Sequence, residues 1–257
     1  MITLTSDFGL KDPYVAEMKG VILTINPKAT IVDITHDIAK FDIRMAAFTL
    51  ASAASYFPKG AVHLAVVDPG VGTERRPIVL ETKNGFFVGP DNGLLMLAAQ
   101  SQGIEHVHEL SNPNLMLPKT SNTFHGRDIF APTAAYLDKG TNPREFGAEI
   151  KDPVITCFSA VERRDGVLEG EVLYIDGFGN IITNIKEKDM LSSRLLDVKF
   201  PKFSLKLKFG RAYADAEPKE PVVLVGGYGL VEIAVNQGNA AGKFNAKVGD
   251  KIAVTAA

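Results

Sequence analysis

The stretch VVDPGVGTERRP (66–77) ends an apolar run in Asp68 and brings in Arg75 a few residues later. A carboxylate beside a permanent cation can accept a proton, orient water or hold an anion. The glycines raise a phosphate cradle as an alternative, but Gly70 and Gly72 are followed by Thr73-Glu74, and no Lys-Ser/Thr pair completes a P-loop. A dinucleotide fingerprint also fails, because the third glycine is missing and IVLET (78–82) reads as strand where a helix must start. That leaves an ordinary Asp-Pro-Gly turn or a site at a strand end, where ligands of open α/β sheets gather. Asp7, in SDFG (6–9), ends a strand in the same way.

NTFHGRDIF (122–130) sets His125 in a loop just before a helix start, with Arg127 and Asp128 adjacent. This position makes it the best acid–base candidate of the five histidines, although a lone loop histidine is commonly an ordinary surface residue. His63 falls inside a strand and His36 follows one, while His106 and His108 alternate on a strand and could face one side. Two such ligands make a weak metal site, so a surface or core role is expected for both. In YIDGFGN (174–180), Gly177 and Gly179 allow a tight loop that exposes Phe178 and presents the Asn180 amide. A ring face plus an amide suits an adenine-like base, and a hairpin with a buried phenylalanine is the competing reading.

The elements that must position these residues follow from periodicity. ITLTS (2–6), TIVDIT (30–35) and AVHLAVV (61–67) read as strands. Asp12-Pro13 opens a helix whose apolar face is Val15, Met18, Ile22 and Ile25, and Asp42 opens a second over 43–57, stopped by Pro58. Asn84-Gly85 inside IVLETKNGFFVG (78–89) is a hairpin signal. Helices follow over 93–100 and from Asp128 within 126–140. The expectation is an α/β domain over 1–160 with a mainly parallel central sheet. After a polar linker at 161–166, short strands with glycine turns over 167–257 predict an all-β barrel-like domain.

The chain has 257 residues, 46% hydrophobic and 23% charged, with net charge −2. No basic cluster stands out, so no nucleic-acid partner is expected. Cys157 is the only cysteine, which excludes an intramolecular disulfide and a cysteine zinc cage. The start MITLTSDFGL lacks a signal-peptide pattern, and no run reaches the ~18 apolar residues of a membrane span. A cytoplasmic protein with no membrane partner is the expectation.

With SDFG, VDPGVGTERR, TFHGRDIFAP, IDGFGN and GLVEIAVNQG in this order, the chain resembles the S-adenosylmethionine hydroxide adenosyltransferases. These are also described as (R)-S-adenosyl-L-methionine hydrolases, relatives of the fluorinase and chlorinase. The resemblance implies an α/β domain joined to a β-barrel, assembled as a trimer or a dimer of trimers with substrate between neighbouring subunits. It implies cleavage of the 5′-carbon–sulfur bond of S-adenosylmethionine by water, giving adenosine and methionine, with no metal or other cofactor. The hydrolases' catalytic set falls on Asp68, Arg75 and His125, and the halogenating relatives lack it. Asp7 falls on a ribose-binding aspartate. Asp176, Phe178 and Asn180 match the substrate motif of the β domain, with Asn180 reaching the adenine. Glu232 and Val235 match a segment close to the adenine, Val235 through its backbone. Tyr228 departs from the serine or arginine commoner there, which leaves the methionine carboxylate contact open. A halide-dependent adenosyltransferase and a non-catalytic adenosine or S-adenosylmethionine binder are the alternatives.

Overall fold

The computed structural model describes residues 1–156, 158–190, 193–201 and 203–256, so the lone Cys157 lies outside the described residues. The chain divides into two compact units, Met1–Thr156 and Cys157–Ala257.

The first unit is built on six strands: β1 (Ile2–Ser6), β2 (Ile31–Thr35), β3 (Ala61–Val66), β4 (Pro77–Thr82), β5 (Gly85–Pro90) and β6 (Ile104–Glu109). Their order across the sheet is β2-β1-β3-β5-β4-β6. The sheet is mixed rather than mainly parallel. β1 runs parallel to β2 and β3, and β3 parallel to β5, whereas β4 is antiparallel to both β5 and β6. The cause is local: the two-residue Lys83-Asn84 turn, with Gly85 already in β5, reverses the chain before any crossover helix can intervene. Four helices cover the faces: α1 (Tyr14–Ile25), α2 (Ile43–Ala54), α3 (Met96–Gln102) and α4 (Ala131–Asp138). Met18 and Ile22 of α1 pack with Ala131 and Ala134 of α4 in one core. On the opposite core, Ala46 and Leu50 of α2 meet Met96 and Ala99 of α3. β1 and β3 are buried along their whole length, as strands covered on both faces must be.

Two helix boundaries separate what sequence could and could not fix. Asp42 caps α2, its Oδ1 accepting the Met45 amide at 2.8 Å, but the helix ends at Ala54, before Pro58 is reached. Asp12 does not cap α1; Pro13 takes the cap position with no side-chain hydrogen bond.

The second unit holds β7 (Glu162–Arg164), β8 (Val167–Ile175), β9 (Ile181–Lys186), β10 (Leu195–Lys199), β11 (Ser204–Lys208), β12 (Pro221–Val225), β13 (Leu230–Val235) and β14 (Lys251–Ala256), with one short helix, α5 (Ala240–Phe244). The strand path is β11-β10-β14-β8-β9-β13-β12, with β7 against β8. Its two ends meet where Phe209 bridges Val223 and the Gly210 amide donates to the Val223 carbonyl at 2.8 Å, so the sheet curls into a nearly closed barrel. The expected linker at 161–166 is a correction: residues 162–164 are a strand of this sheet. Asp165 and Gly166 both take positive φ, 49° and 80°, and so make the tight turn into β8.

Candidate functional site

The loop after β3 places the first half of the site. Gly72, at φ 77°, passes so close to the Asn122 carbonyl that a Cβ would stand 2.4 Å from its oxygen. Only glycine fits, and the bend returns Arg75 to Asp68. The Arg75 guanidinium forks onto the carboxylate, with Nε 3.0 and 3.1 Å from the two oxygens and Nη2 2.5 Å from Oδ2. Both side chains are nearly buried, and the guanidinium lies 5.3 Å above the Phe130 ring.

The second half comes from the other side of a long loop. His125 precedes one wide turn, Gly126–Phe130, in which the Ala131 amide reaches back to the Gly126 carbonyl; such turns are frequent at functional sites. His125 Nδ1 stands 2.7 Å from Arg75 Nη2. A guanidinium only donates, so Nδ1 is the acceptor and the neutral ring carries its proton on Nε2. Burial, helped by the Arg75 charge, holds the His125 pKa below its ordinary 6.5, against the weaker pull of Asp68 and Asp128. The order is therefore Asp68–Arg75–His125, with the arginine in the middle.

Asp7, Asp68 and His125 line one cavity of about 580 Å³. Asp7 Oδ2 accepts the Phe41 amide at 2.9 Å, and the Lys40 ammonium caps the Asp7 carbonyl. Phe41 holds φ 66°, a conformation rare for a bulky residue and worth a functional look. Further groups share the same wall, of which the sequence notes Phe124 and Arg127 only as neighbours of His125. Phe8, Tyr14 and Phe124 form an aromatic trio with centroids 5.2–5.8 Å apart, and Lys40, Phe41, Glu17 and Arg127 also line the cavity. Phe8 and Phe124 adjoin Asp7 and His125 in the chain, a signal that was available. Lys40 and Phe41 arrive only through the fold.

In the second unit the Asp176–Asn180 turn is held by its own aspartate. Asp176 Oδ1 accepts the amides of Phe178 and Asn180 at 2.9 and 2.8 Å, and Oδ2 accepts Asn180 Nδ2 at 2.9 Å. Gly179, at φ 85°, has no room for a Cβ against Asn239. Phe178 is 79% exposed, not the buried ring of a plain hairpin. Register sets Ile181 opposite Ile233, which brings Asn180 and Val235 to one end of the sheet. The Val235 carbonyl accepts the Gly238 amide. Glu232 is buried, its pKa raised by burial and the Asp176 charge against a 2.8 Å hydrogen bond from Tyr213. Tyr213 itself is pushed up to about 12, by burial first and then by Glu232. Tyr228 is 55% exposed.

The remaining histidines have ordinary partners. His106 pairs with Glu149 at 3.1 Å, and His108 Nδ1 lies 3.1 Å from the Gly147 carbonyl. Among the described residues no three His, Cys, Asp or Glu side chains are grouped to hold a metal.

Comparison with known proteins agrees with this layout. Residues 2–147 match the SAM hydroxide adenosyltransferase N-terminal domain and residues 170–253 its C-terminal domain. The chain belongs to the SAM hydroxide adenosyltransferase family. Among its relatives, the (R)-S-adenosyl-L-methionine hydrolase of Salinispora arenicola is 39% identical, over 99% of this chain and 97% of that one. The protein of the same name from Thermus thermophilus is 39% identical over 95% of each. A fluorinase from an Actinoplanes species is 29% identical over 100% of this chain and 98% of its own. A crystal structure of a conserved protein from Thermotoga maritima superposes with TM-score 0.95 at 38% identity, covering 99% of this chain and 100% of that one.

Proposed function

We propose that this protein hydrolyses S-adenosyl-L-methionine, as its (R)-sulfonium epimer, to adenosine and L-methionine. The observation that carries the reading is the linked Asp68–Arg75–His125 set beside a cavity that also holds Asp7. Water attacks C5′, the new C–O bond forms as the C5′–S bond breaks, and the electron pair leaves with sulfur as a neutral thioether. The water proton passes to Asp68. His125 cannot take it at Nδ1, which already accepts from Arg75, so its Nε2–H donates to the water and points a lone pair at C5′. Positioned proton transfer of this kind contributes roughly 10²–10⁴-fold, and holding the three atoms in line adds the entropic share. The sulfonium loses its charge in the transition state, which a desolvated, aromatic-walled cavity favours.

In the same reading Asp7 binds the ribose hydroxyls. Asp176, Phe178, Asn180, Glu232 and the Val235 backbone receive the adenine side of the substrate, with Tyr228 near the methionine carboxylate. The enzyme works in the cytoplasm as a homotrimer with sites shared between subunits, and needs no metal or cofactor. No helix of the described residues is long and apolar enough to cross a membrane.

The test is turnover of each separated epimer in ¹⁸O-labelled water. Adenosine carrying ¹⁸O at its 5′-hydroxyl, together with methionine, is expected. Unlabelled adenosine overturns direct attack, 5′-halo-adenosine formed with added halide indicates a halide transferase, and tight binding without turnover indicates a binding protein.

A further inference from the structure

A polar chain that runs from buried Ser6 and His36 out to the exposed Asp33–Lys19 pair has no part in the chemistry just described. Ser6 Oγ lies 2.7 Å from His36 Nδ1, His36 Nε2 stands 3.2 Å from Asp33 Oδ1, and Asp33 Oδ2 meets Lys19 Nζ at 2.6 Å. The series Ser–His–Asp invites comparison with a hydrolytic triad. It cannot be one, because Ser6 is 1% exposed and its Oγ already accepts the Phe8 amide at 3.3 Å. His36 is likewise buried. Its Nε2 is misaligned for a hydrogen bond to Asp33, so that contact is a general attraction and the directional link is the one to Ser6.

The surrounding backbone shows what the link holds. The Gly9 amide donates to the His36 carbonyl at 2.8 Å, and the Ile38 amide to the Ser6 carbonyl at 3.4 Å. Segments 6–9 and 36–38 are thereby laced together, with the His36 ring as their side-chain tie. Segment 6–9 carries Asp7 and Phe8 into the cavity. Lys40 and Phe41, just beyond the second segment, grip Asp7 from its other side. A buried hydrogen bond that fixes a short loop acts on everything the loop displays.

We propose that His36 is a positioning residue: through Ser6 Oγ it sets the 6–9 loop so that Asp7 and Phe8 meet the nucleoside part of the substrate. The substrate named here rests on the hydrolase reading; the positioning of the loop does not. Two variants of His36 separate the directional tie from mere bulk. His36→Asn keeps a polar atom near Nδ1, within reach of Ser6, whereas His36→Gln keeps one near Nε2, facing Asp33.

Steady-state kinetics with S-adenosylmethionine and amide hydrogen exchange of the substrate-free protein read the two consequences. In Ser6→Ala and His36→Gln, KM is expected to rise about tenfold with kcat within about threefold, and protection of the Phe8 and Gly9 amides to fall about tenfold. His36→Asn is expected to restore most of both. The double variant Ser6→Ala with His36→Gln should be no worse than either single change. A fall in kcat at constant KM, fully additive losses, or unchanged protection of the two amides in Ser6→Ala and His36→Gln overturns the proposal. If the parent protein turns over no S-adenosylmethionine, the hydrolase reading fails alone, and the exchange measurement still decides the role of His36. If His36→Gln does not fold, the Gly9 amide of Ser6→Ala supplies the test, because the Phe8 amide loses its own acceptor in that variant.

Discussion

His125 shows how one hydrogen bond reassigns a residue. By sequence it is the best acid–base candidate of the five histidines, a loop histidine beside a helix start. Its contact with Arg75 at 2.7 Å commits Nδ1 as an acceptor and turns the ring into a donor. His125→Gln, which keeps a donor near Nε2, is therefore predicted to retain far more activity than His125→Ala, which should lose about 10²–10³-fold in kcat. The pH dependence follows with a definite sign. The folded pKa of His125 is below 6.5, so the pH must fall past that value before the ring gains a second proton. That proton sets two cations against each other and breaks the Arg75 link. The acid limb of kcat/KM is predicted below pH 6.5 and absent from His125→Gln; a limb above pH 6.5 in the parent would count against the assignment. Sequence named Asp68, Arg75 and His125 through an ordered set of motifs, but not which of the three sits in the middle. That order depends on a contact between residues 50 apart in the chain.

Elements whose signals are local were legible. Asp42 caps its helix, the hairpin turns at Lys83-Asn84 beside its Asn-Gly signal, and β3 ends at Val66, two residues short of Asp68. Features that depend on partners were not. Asp12 looked like a cap, yet the helix starts beyond Pro13, and the polar stretch 162–164 became strand because β8 offers it an edge. β3 gives the sharpest case. His63 is a polar interruption in an apolar strand, and the fold buries it against Phe87, with rings 4.8 Å apart, while Nδ1 meets Thr3 Oγ1 at 2.8 Å. Burial lowers its pKa from 6.5 to about 4. A depressed pKa means the unfolded chain takes up the proton first, so stability is present above pH 6.5 and drains away as pH falls toward 4. The loss is on the order of 3 kcal/mol, taking about 1.4 kcal/mol per unit. His63→Asn keeps the bond to Thr3 without the titration. Denaturant unfolding at pH 7 and pH 4 should show the parent's excess stability over this variant shrinking by about that amount. An excess that stays constant would mean His63 does not titrate this way.

At the scale of the whole molecule, the chemistry is divided. The first unit holds the proposed water-activating set and the proposed ribose contact, and the second holds the proposed adenine contacts. Each has its own core, which is why a change of texture near residue 160 could be seen in sequence at all. The homotrimer proposed above makes this division testable. Asp68→Ala and Asn180→Ala chains, each inactive alone, should regain partial activity when unfolded and refolded together, because some sites then draw an intact half from each chain. No recovery from mixed assemblies would place both halves of a site within one chain.

Arg75 has a further consequence through its partner. In this chain its charge is answered by Asp68 at 2.5 Å. A single replacement of Asp68 leaves a nearly buried guanidinium without its counterion, a state costly enough to favour any small anion that fits. The Asp68→Ser protein is predicted to gain thermal stability from chloride beyond that from gluconate at equal ionic strength; an equal response to the two salts would refute this. Loss of one carboxylate thus does more than silence a water-using enzyme. By this prediction it leaves a buried positive charge as an anion berth rather than an inert gap.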